Sequence, residues 1–312
     1  MAAAPVIFYR GRVHPLRALL IFLSTIFLGG ALLAPWVYQL IQSWAAHFTF
    51  LHFLANEPFQ RYLTRTFLGI ALIGLWPFAR SIGARSFGDV GLTKPAGQWS
   101  KFGGGLLLGF GSLALLAGMV LLIRARTWET EHSASAVLRH VLATGLTAIV
   151  VAVLEEIIFR GALFGTLRKV YRWTFALLIS SAVYALLHFF ERLPTLAKVG
   201  WTSGFELLPQ MVRGFVDLHS LVPGFFNLTL AGVILGLAYQ RFGNLYFSIG
   251  LHAGWIFWVK SYSFLTRPTA AGHSWLWGSR KLVDGWAALV VLLLVLALVS
   301  RLPAPRTQPP SS

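Results

Sequence analysis

The sequence predicts an all-α membrane protein, built as a polytopic bundle of about eight transmembrane helices. Of its 312 residues, 56% are hydrophobic and only 12% are charged, whereas soluble domains carry about 25% charged residues. Apolar runs that approach or reach the roughly 17 to 25 residues needed to cross a bilayer recur along the chain. Because backbone polar groups inside a bilayer must pair within their own segment, such runs form helices. The expected spans are 16–40, 62–79, 103–123, 137–157, 173–190, 222–240, 244–260 and 286–300.

The first span is expected to stay in the protein as a helix. Its apolar run is about as long as a full span, roughly 20 residues, and no small-residue cleavage site of the signal-peptide type follows closely. We expect a single transmembrane domain over residues 1–301, with a core at about 137–260. Residues 302–312 are rich in Pro and Ser and are expected to form a disordered tail. The longest loop, 191–221, has room for interfacial helices or a lid.

Charge and cysteine content narrow the classes of partner. The net charge of +16 is spread over nearly every loop and forms no basic block interleaved with aromatic residues, so lipid headgroups are the expected partner and nucleic acid is not. The basic tail with Arg10, Arg12 and Arg17 favours a cytoplasmic N-terminus, and the cell inner (plasma) membrane is the expected location. The chain has no cysteine, which excludes disulfides, thiolate metal sites and a cysteine nucleophile.

Small residues spaced by four mark helix faces that are able to approach closely. Such spacing also arises by chance in membrane helices, which are rich in glycine. The last of the pairs flanks His252. The pairs are Gly105 with Gly109, Gly161 with Gly165, Gly232 with Gly236, and Gly250 with Gly254.

Two adjacent glutamates, Glu155 and Glu156, lie at the end of the fourth apolar run. Each ionisable group in a membrane span costs roughly 2.5 to 3.5 kcal/mol on insertion scales and usually faces a polar cavity or a partner. Arg160 follows Glu156 by four residues, which predicts an ion pair. Glu155 is turned by about 100° on the helix, so it is able to point into a cavity. The alternative is a plain buried salt bridge that fixes helix packing.

Two histidines lie in later apolar runs. His188 follows Tyr184 by one helical turn, and His252 lies between Gly250 and Gly254. Each taken singly is typical of a core histidine bonded to a helix backbone. Together with Glu155 they supply a base, an imidazole that shares a proton and a second imidazole that stabilises an oxyanion. This set suits hydrolysis by an activated water.

The sequence does not contain the motifs of other common classes of hydrolase. There is no His-Glu-x-x-His zinc signature and no Gly-x-Ser-x-Gly elbow, and all three aspartates fall in predicted loops. A metal site formed by Glu155, His188 and His252 stays chemically reasonable, with a divalent ion such as zinc.

The motifs resemble those of the CPBP family of intramembrane proteases, which includes the type II CAAX prenyl endopeptidases and bacteriocin-processing or self-immunity homologues. The first motif, Glu-Glu-x-x-x-Arg, is matched by residues 155–160, and the second, Phe-x-x-x-His, by His188 with Tyr184 in the aromatic position. The third is a histidine followed four residues later by Asn or Asp. His252 matches it, but Ile256 stands where the amide or acid belongs.

The resemblance implies a glutamate mechanism without an obligatory metal or cofactor, with catalytic residues Glu155, Glu156, Arg160, His188 and His252. Glu155 and His188 would activate water, and His252 would donate to the oxyanion. Because Ile256 has no donor, Trp255, Asn227 and Asn244 are the candidates to replace it.

The expected function is that of a CAAX-protease-like endopeptidase, with a membrane-associated protein or peptide as substrate. One alternative is a non-catalytic scaffold or bacteriocin-immunity-type protein with the same fold, which Ile256 favours. A proton-coupled transporter is a third possibility, but the chain lacks the inverted repeats or paired broken helices that would support it.

Overall fold

The structure is a computed structural model that describes residues 13–189, 194–196, 198–216, 218–269, 272–279 and 281–302. The expected all-α membrane bundle is confirmed, and every expected apolar run lies largely within a helix. The expected tail at 302–312 lies outside the described residues except for Leu302. The helices are α1 (Pro15–Ala45), α2 (His52–Ala55), α3 (Phe59–Ser81), α4 (Trp99–Leu122), α5 (Ala134–Glu156), a π-helix (Ile157–Phe164), α6 (Gly165–Val170), α7 (Trp173–Leu187), α8 (Ser203–Met211), α9 (Leu218–Phe242), α10 (Tyr246–Leu265), α11 (Ser274–Trp277) and α12 (Trp286–Arg301).

The protein is an integral membrane protein, but the expected number of eight spans is not confirmed. Within the described residues, five helical segments are long and apolar enough to cross a membrane, and α7 and α12 are shorter apolar helices. The spans are longer than their apolar runs because polar residues at the ends continue the helix. The five segments are Pro15–Ala45, Phe59–Ser81, Trp99–Leu122, Ala134–Val170 and Leu221–Phe242.

A short two-stranded antiparallel sheet joins β1 (Arg126–Trp128) to β2 (Thr266–Pro268). Thr127 lies opposite Arg267 in the register. The side chain of Arg126 is buried and donates to the hydroxyl and the carbonyl of Thr266, each at 2.7 Å. The sheet therefore fixes the connection after α4 to the end of α10.

The described chain divides into two compact units, one formed by residues 85–187 and 218–302, the other by 13–84 and 188–216. The predicted core at 137–260 contributes to both. In the second unit α1 packs against α3 and α8. Gly204 on α8 allows this contact, because a Cβ there would lie 2.0 Å from the carbonyl oxygen of Ala31. The long loop thus contains a helix, α8, as expected.

In the first unit α10 packs against α4, α5 and α9, and a continuous apolar core joins α4, α9, α10 and α12. Glycines allow α4 and α10 to touch backbone to backbone. A Cβ at Gly105 or Gly109 would lie 2.1 Å from a carbonyl oxygen of α10, and one at Gly250 or Gly254 would lie 2.0 or 2.4 Å from backbone atoms of α4. The two expected pairs therefore face each other, and this contact holds the helix that carries His252.

The other two glycine pairs also lie at close contacts. On α9, a Cβ at Gly232 would lie 2.7 Å from the side chain of Ser181, and one at Gly236 would lie 2.3 Å from that of Leu177. Both neighbours belong to α7. In the π-helix, a Cβ at Gly161 would lie 2.2 Å from the carbonyl oxygen of Val90. A Cβ at Gly165 would lie 3.3 Å from the carbonyl oxygen of Arg160, which is a looser contact. The glycines thus position α7 as well as α10.

Candidate active site

The two glutamates are the last residues of α5, and the helix changes type directly after them. Residues Ile157–Phe164 form the π-helix, and all eight are buried. The chain therefore changes its hydrogen-bond register after the glutamates, and it continues as a helix to Val170. Wide turns of this kind occur often at functional sites.

Glu156 and Arg160 form the ion pair that their spacing predicts. Arg160 Nη1 donates to Glu156 Oε1 at 2.9 Å, and both side chains are buried. A carboxylate taken out of water needs such a partner, since an uncompensated buried charge is strongly unfavourable. Arg160 therefore neutralises the inner of the two glutamates.

His252 binds the same oxygen. Its Nδ1 lies 2.9 Å from Glu156 Oε1, and the imidazole is buried within α10. An ionised carboxylate only accepts hydrogen bonds, so Nδ1 carries the proton. Glu156 Oε1 thus accepts from Arg160 and from His252, and it fixes one edge of the imidazole ring.

Glu155 approaches the opposite edge of that ring. Its Oε2 lies 3.7 Å from His252 Nε2, and its side chain keeps 20% of its surface exposed, while that of Glu156 is fully buried. The separation is longer than a normal hydrogen bond. One imidazole is therefore placed between a neutralised carboxylate and a more accessible one.

Tyr184 on α7 also reaches the site, a contact that the sequence analysis missed. Its hydroxyl lies 3.2 Å from His252 Nε2, and the Arg160 guanidinium lies 4.3 Å from its ring centre. Tyr184, Arg160, Glu156 and His252 thus form a closed ring of contacts. The available signal was a hydroxyl-bearing aromatic residue in the position where the resembled motif has Phe.

His188 lies in the turn directly after α7, and its side chain is half-buried. It belongs to the second unit. Its share in the same site therefore stays a prediction, while Glu155 and His252 lie close together as expected.

The three side chains expected to replace the missing donor at Ile256 are bound elsewhere. Trp255 Nε1 donates to Ser112 Oγ at 3.0 Å. Asn227 Nδ2 donates to two backbone carbonyls at 2.9 and 2.8 Å, and Asn244 Nδ2 donates to a side-chain oxygen at 3.2 Å and a carbonyl at 3.1 Å. These bonds tie helices and loops together, so none of the three is available as an oxyanion donor.

Within the residues that the structure describes, no group of three or more His, Asp or Glu side chains is arranged to hold a metal ion. Both ring nitrogens of His252 face protein groups, Glu156 on one side and Tyr184 on the other. The alternative of a metal bound by Glu155, His188 and His252 therefore gains no support from this geometry.

Comparison with known proteins gives one match. The model of a protein family described as Type II CAAX prenyl endopeptidase Rce1-like matches residues 137–258. No curated protein and no solved structure matches the chain. The matched segment includes both glutamates, Arg160, Tyr184 and both histidines, and it indicates a membrane protease. The resemblance to the CAAX protease family is therefore confirmed for residues 137–258.

Proposed function

We propose that the protein is an intramembrane endopeptidase that hydrolyses a peptide bond near the membrane surface, with Glu155 as the general base. The observation that carries this proposal is the pair of carboxylates on one imidazole, in which Arg160 neutralises Glu156 and Glu155 is the more accessible of the two. The ion pair with Arg160 needs one carboxylate. A second ionisable side chain in a membrane span is costly and usually serves a function.

The roles of the groups follow from their surroundings. Glu155 takes a proton from water as the water oxygen bonds to the substrate carbonyl carbon, and the carbonyl electron pair moves to its oxygen. Glu156 and Arg160 hold His252 beside that reaction. The family resemblance gives His188 a share in activating the water. When the C–N bond breaks, the proton passes to the leaving nitrogen.

We further propose that the reaction requires no metal. A metal ligand at His252 needs a ring nitrogen with a free lone pair, and in this site Nδ1 faces Glu156 while Nε2 faces Tyr184. Incubation with EDTA followed by removal of the chelate should leave the cleavage rate unchanged. A loss that zinc restores would contradict this.

The substrate proposed is a membrane-associated protein or peptide, and a prenylated CAAX sequence, as named in the family description, is the first to test. The location proposed is the inner (plasma) membrane with the N-terminus in the cytoplasm, so the bilayer is the other partner. Nucleic acid is not a proposed partner, because the basic residues form no continuous block.

A scaffold without catalysis is the second candidate, because Ile256 supplies no hydrogen-bond donor at a position four residues from His252. The scaffold would use the same ring of contacts to bind a partner. It gives no role to a second carboxylate, that of Glu155, beside the same imidazole.

The two candidates are separated by comparing protein termini in the membranes of cells that carry wild type, Glu155→Gln or Glu131→Gln at matched expression. Glu131 is an exposed glutamate on the connection after β1, so its variant controls for the same chemical change. Proteolysis predicts termini that are lost only with Glu155→Gln. Identical termini in all three, with a deletion phenotype rescued by Glu155→Gln, would establish the scaffold instead.

A further inference from the structure

The hydrogen bonds of His252 determine which atom at its outer edge is able to donate. Nδ1 carries the proton that Glu156 Oε1 accepts. In a neutral imidazole the other nitrogen, Nε2, is then an acceptor, so the Tyr184 hydroxyl 3.2 Å away donates to it. In this state His252 has no Nε2–H to offer to an oxyanion. The donor hydrogen at this edge belongs to Tyr184.

The ring of Tyr184 packs against two neighbouring side chains. Arg160 lies over its face at 4.3 Å, and Phe159 packs edge to face with it at a centroid separation of 5.2 Å. The side chain is 3% exposed. A phenylalanine would keep these ring contacts, and it would lose the hydroxyl that lies within hydrogen-bond distance of His252 Nε2.

We propose that Tyr184 is the oxyanion donor of this protease, in the place of the side chain that Ile256 cannot supply; this rests on the function proposed above. In the resting site the phenol O–H donates to His252 Nε2. It sits on the edge of the imidazole that Glu155 also approaches, at 3.7 Å. The proposed base, Glu155, and the proposed donor, the Tyr184 hydroxyl, therefore both lie next to His252 Nε2.

The proton from water reaches the leaving nitrogen by way of Glu155 and His252 Nε2. Water gives its proton to Glu155 while its oxygen bonds to the carbonyl carbon, and Glu155 passes that proton to His252 Nε2. The new Nε2–H donates to the phenol oxygen, and the phenol O–H turns to the oxyanion. When the C–N bond breaks, the nitrogen takes the proton from Nε2, and the phenol O–H returns to Nε2. No oxidant, reductant or metal takes part.

The test compares Tyr184→Phe, Ile256→Asn and the double variant with wild type and Glu155→Gln, each as the full chain in liposomes. The probe is a quenched fluorescent peptide that spans a cleavage site found by the termini comparison. Tyr184→Phe should lower kcat by about a hundredfold to a thousandfold, as for loss of one oxyanion donor, with KM and melting temperature unchanged. Ile256→Asn lies one turn from His252 on the same helix face, so it should restore kcat at least about tenfold in the Tyr184→Phe background.

Three results would overturn the proposal. One is a kcat for Tyr184→Phe within about threefold of wild type while Glu155→Gln is inactive. Another is a loss of kcat and melting temperature together, with no gain from Ile256→Asn, which would make the hydroxyl structural. Equal cleavage by wild type and Glu155→Gln would instead overturn the proposed function, and this proposal with it.

Discussion

Glu156 Oε1 is the central atom of the site, because it accepts from both Arg160 and His252 at 2.9 Å. An acceptor shared by a cation and an imidazole fixes both side chains. We assign the structural role to Glu156 and the chemical role to its neighbour Glu155, whose side chain keeps 20% of its surface exposed.

This division predicts opposite outcomes for two substitutions. Arg160→Ala leaves the buried Glu156 without its cation, and loss of one partner of a buried pair costs about 3–5 kcal/mol of unfolding free energy. Glu155→Gln should unfold like wild type, because its side chain keeps 20% of its surface exposed and its Oε2 lies 3.7 Å from His252 Nε2, beyond normal hydrogen-bond distance. Thermal unfolding in detergent measures both. Equal loss of folded protein in the two variants would mean that Glu155 is structural.

At the residue scale the sequence predicts only contacts between residues that are close to each other in the chain. The Glu156–Arg160 pair follows from a spacing of four residues and is confirmed. The bond from His252 to Glu156 joins residues 96 positions apart, and periodicity carries no information on such a contact. For the same reason the sequence does not predict the contact of Tyr184 with His252 or the hydrogen bond from Trp255 to Ser112.

At the scale of elements, the close contact of α4 with α10 places His252. Gly109→Ala would put a Cβ 2.1 Å from a backbone carbonyl oxygen of α10. Because neither backbone yields easily, overpacking should cost about 1–3 kcal/mol of unfolding free energy, and displacement of α10 should lower the cleavage rate.

Gly111 provides the matched control on the same helix, because an added Cβ there meets no atom within 4 Å. Gly111→Ala should leave melting temperature and cleavage rate close to those of wild type. The prediction fails if the two alanine variants melt at the same temperature.

The β1–β2 connection should be sensitive to acid. Arg267 beside Glu129, with the backbone N–H of Glu131, lowers the pKa of the Glu129 carboxyl to about 2 from its usual 4.5. A depressed pKa means that the ion pair contributes fully above about pH 4.5 and is lost as the pH falls towards 2. The difference in melting temperature between wild type and Glu129→Gln should therefore shrink between pH 6 and pH 3, and high salt should reduce it at both. A difference that grows on acidification would contradict this.

The elements differ in how far they could be predicted. Long apolar runs leave the chain no alternative to helices, and each expected run lies largely within a helix, although only five segments of the described residues are long and apolar enough to cross a membrane. The strands β1 and β2 contain three residues each, which is too few to show an alternating apolar and polar pattern. The change to a π-helix at Ile157 is a change of hydrogen-bond register, which helix propensity does not encode.

At the scale of the whole molecule, the orientation in the membrane can be tested without removing any native thiol, because the chain has no cysteine. A cytoplasmic N-terminus followed by α1 and α3 puts Lys94 in the cytoplasm and, after α4, Glu131 on the other face. In intact cells a membrane-impermeant maleimide should label Glu131→Cys and leave Lys94→Cys unlabelled, whereas in permeabilised cells both variants should be labelled. Labelling of Lys94→Cys alone in intact cells would show that the N-terminus lies on the opposite side of the membrane.

The proposed role of Glu155 as the general base of a peptide hydrolysis is tested most directly by one comparison of cleavage rates. Wild type and Glu155→Gln are purified, checked to have the same melting temperature, and reconstituted in liposomes. The initial cleavage rate is then recorded for a farnesylated peptide with a CAAX-type end, or for a peptide that spans a cellular cleavage site. Loss of a general base predicts a rate for Glu155→Gln that is lower by at least about a hundredfold. A rate within about threefold of wild type would contradict the claim.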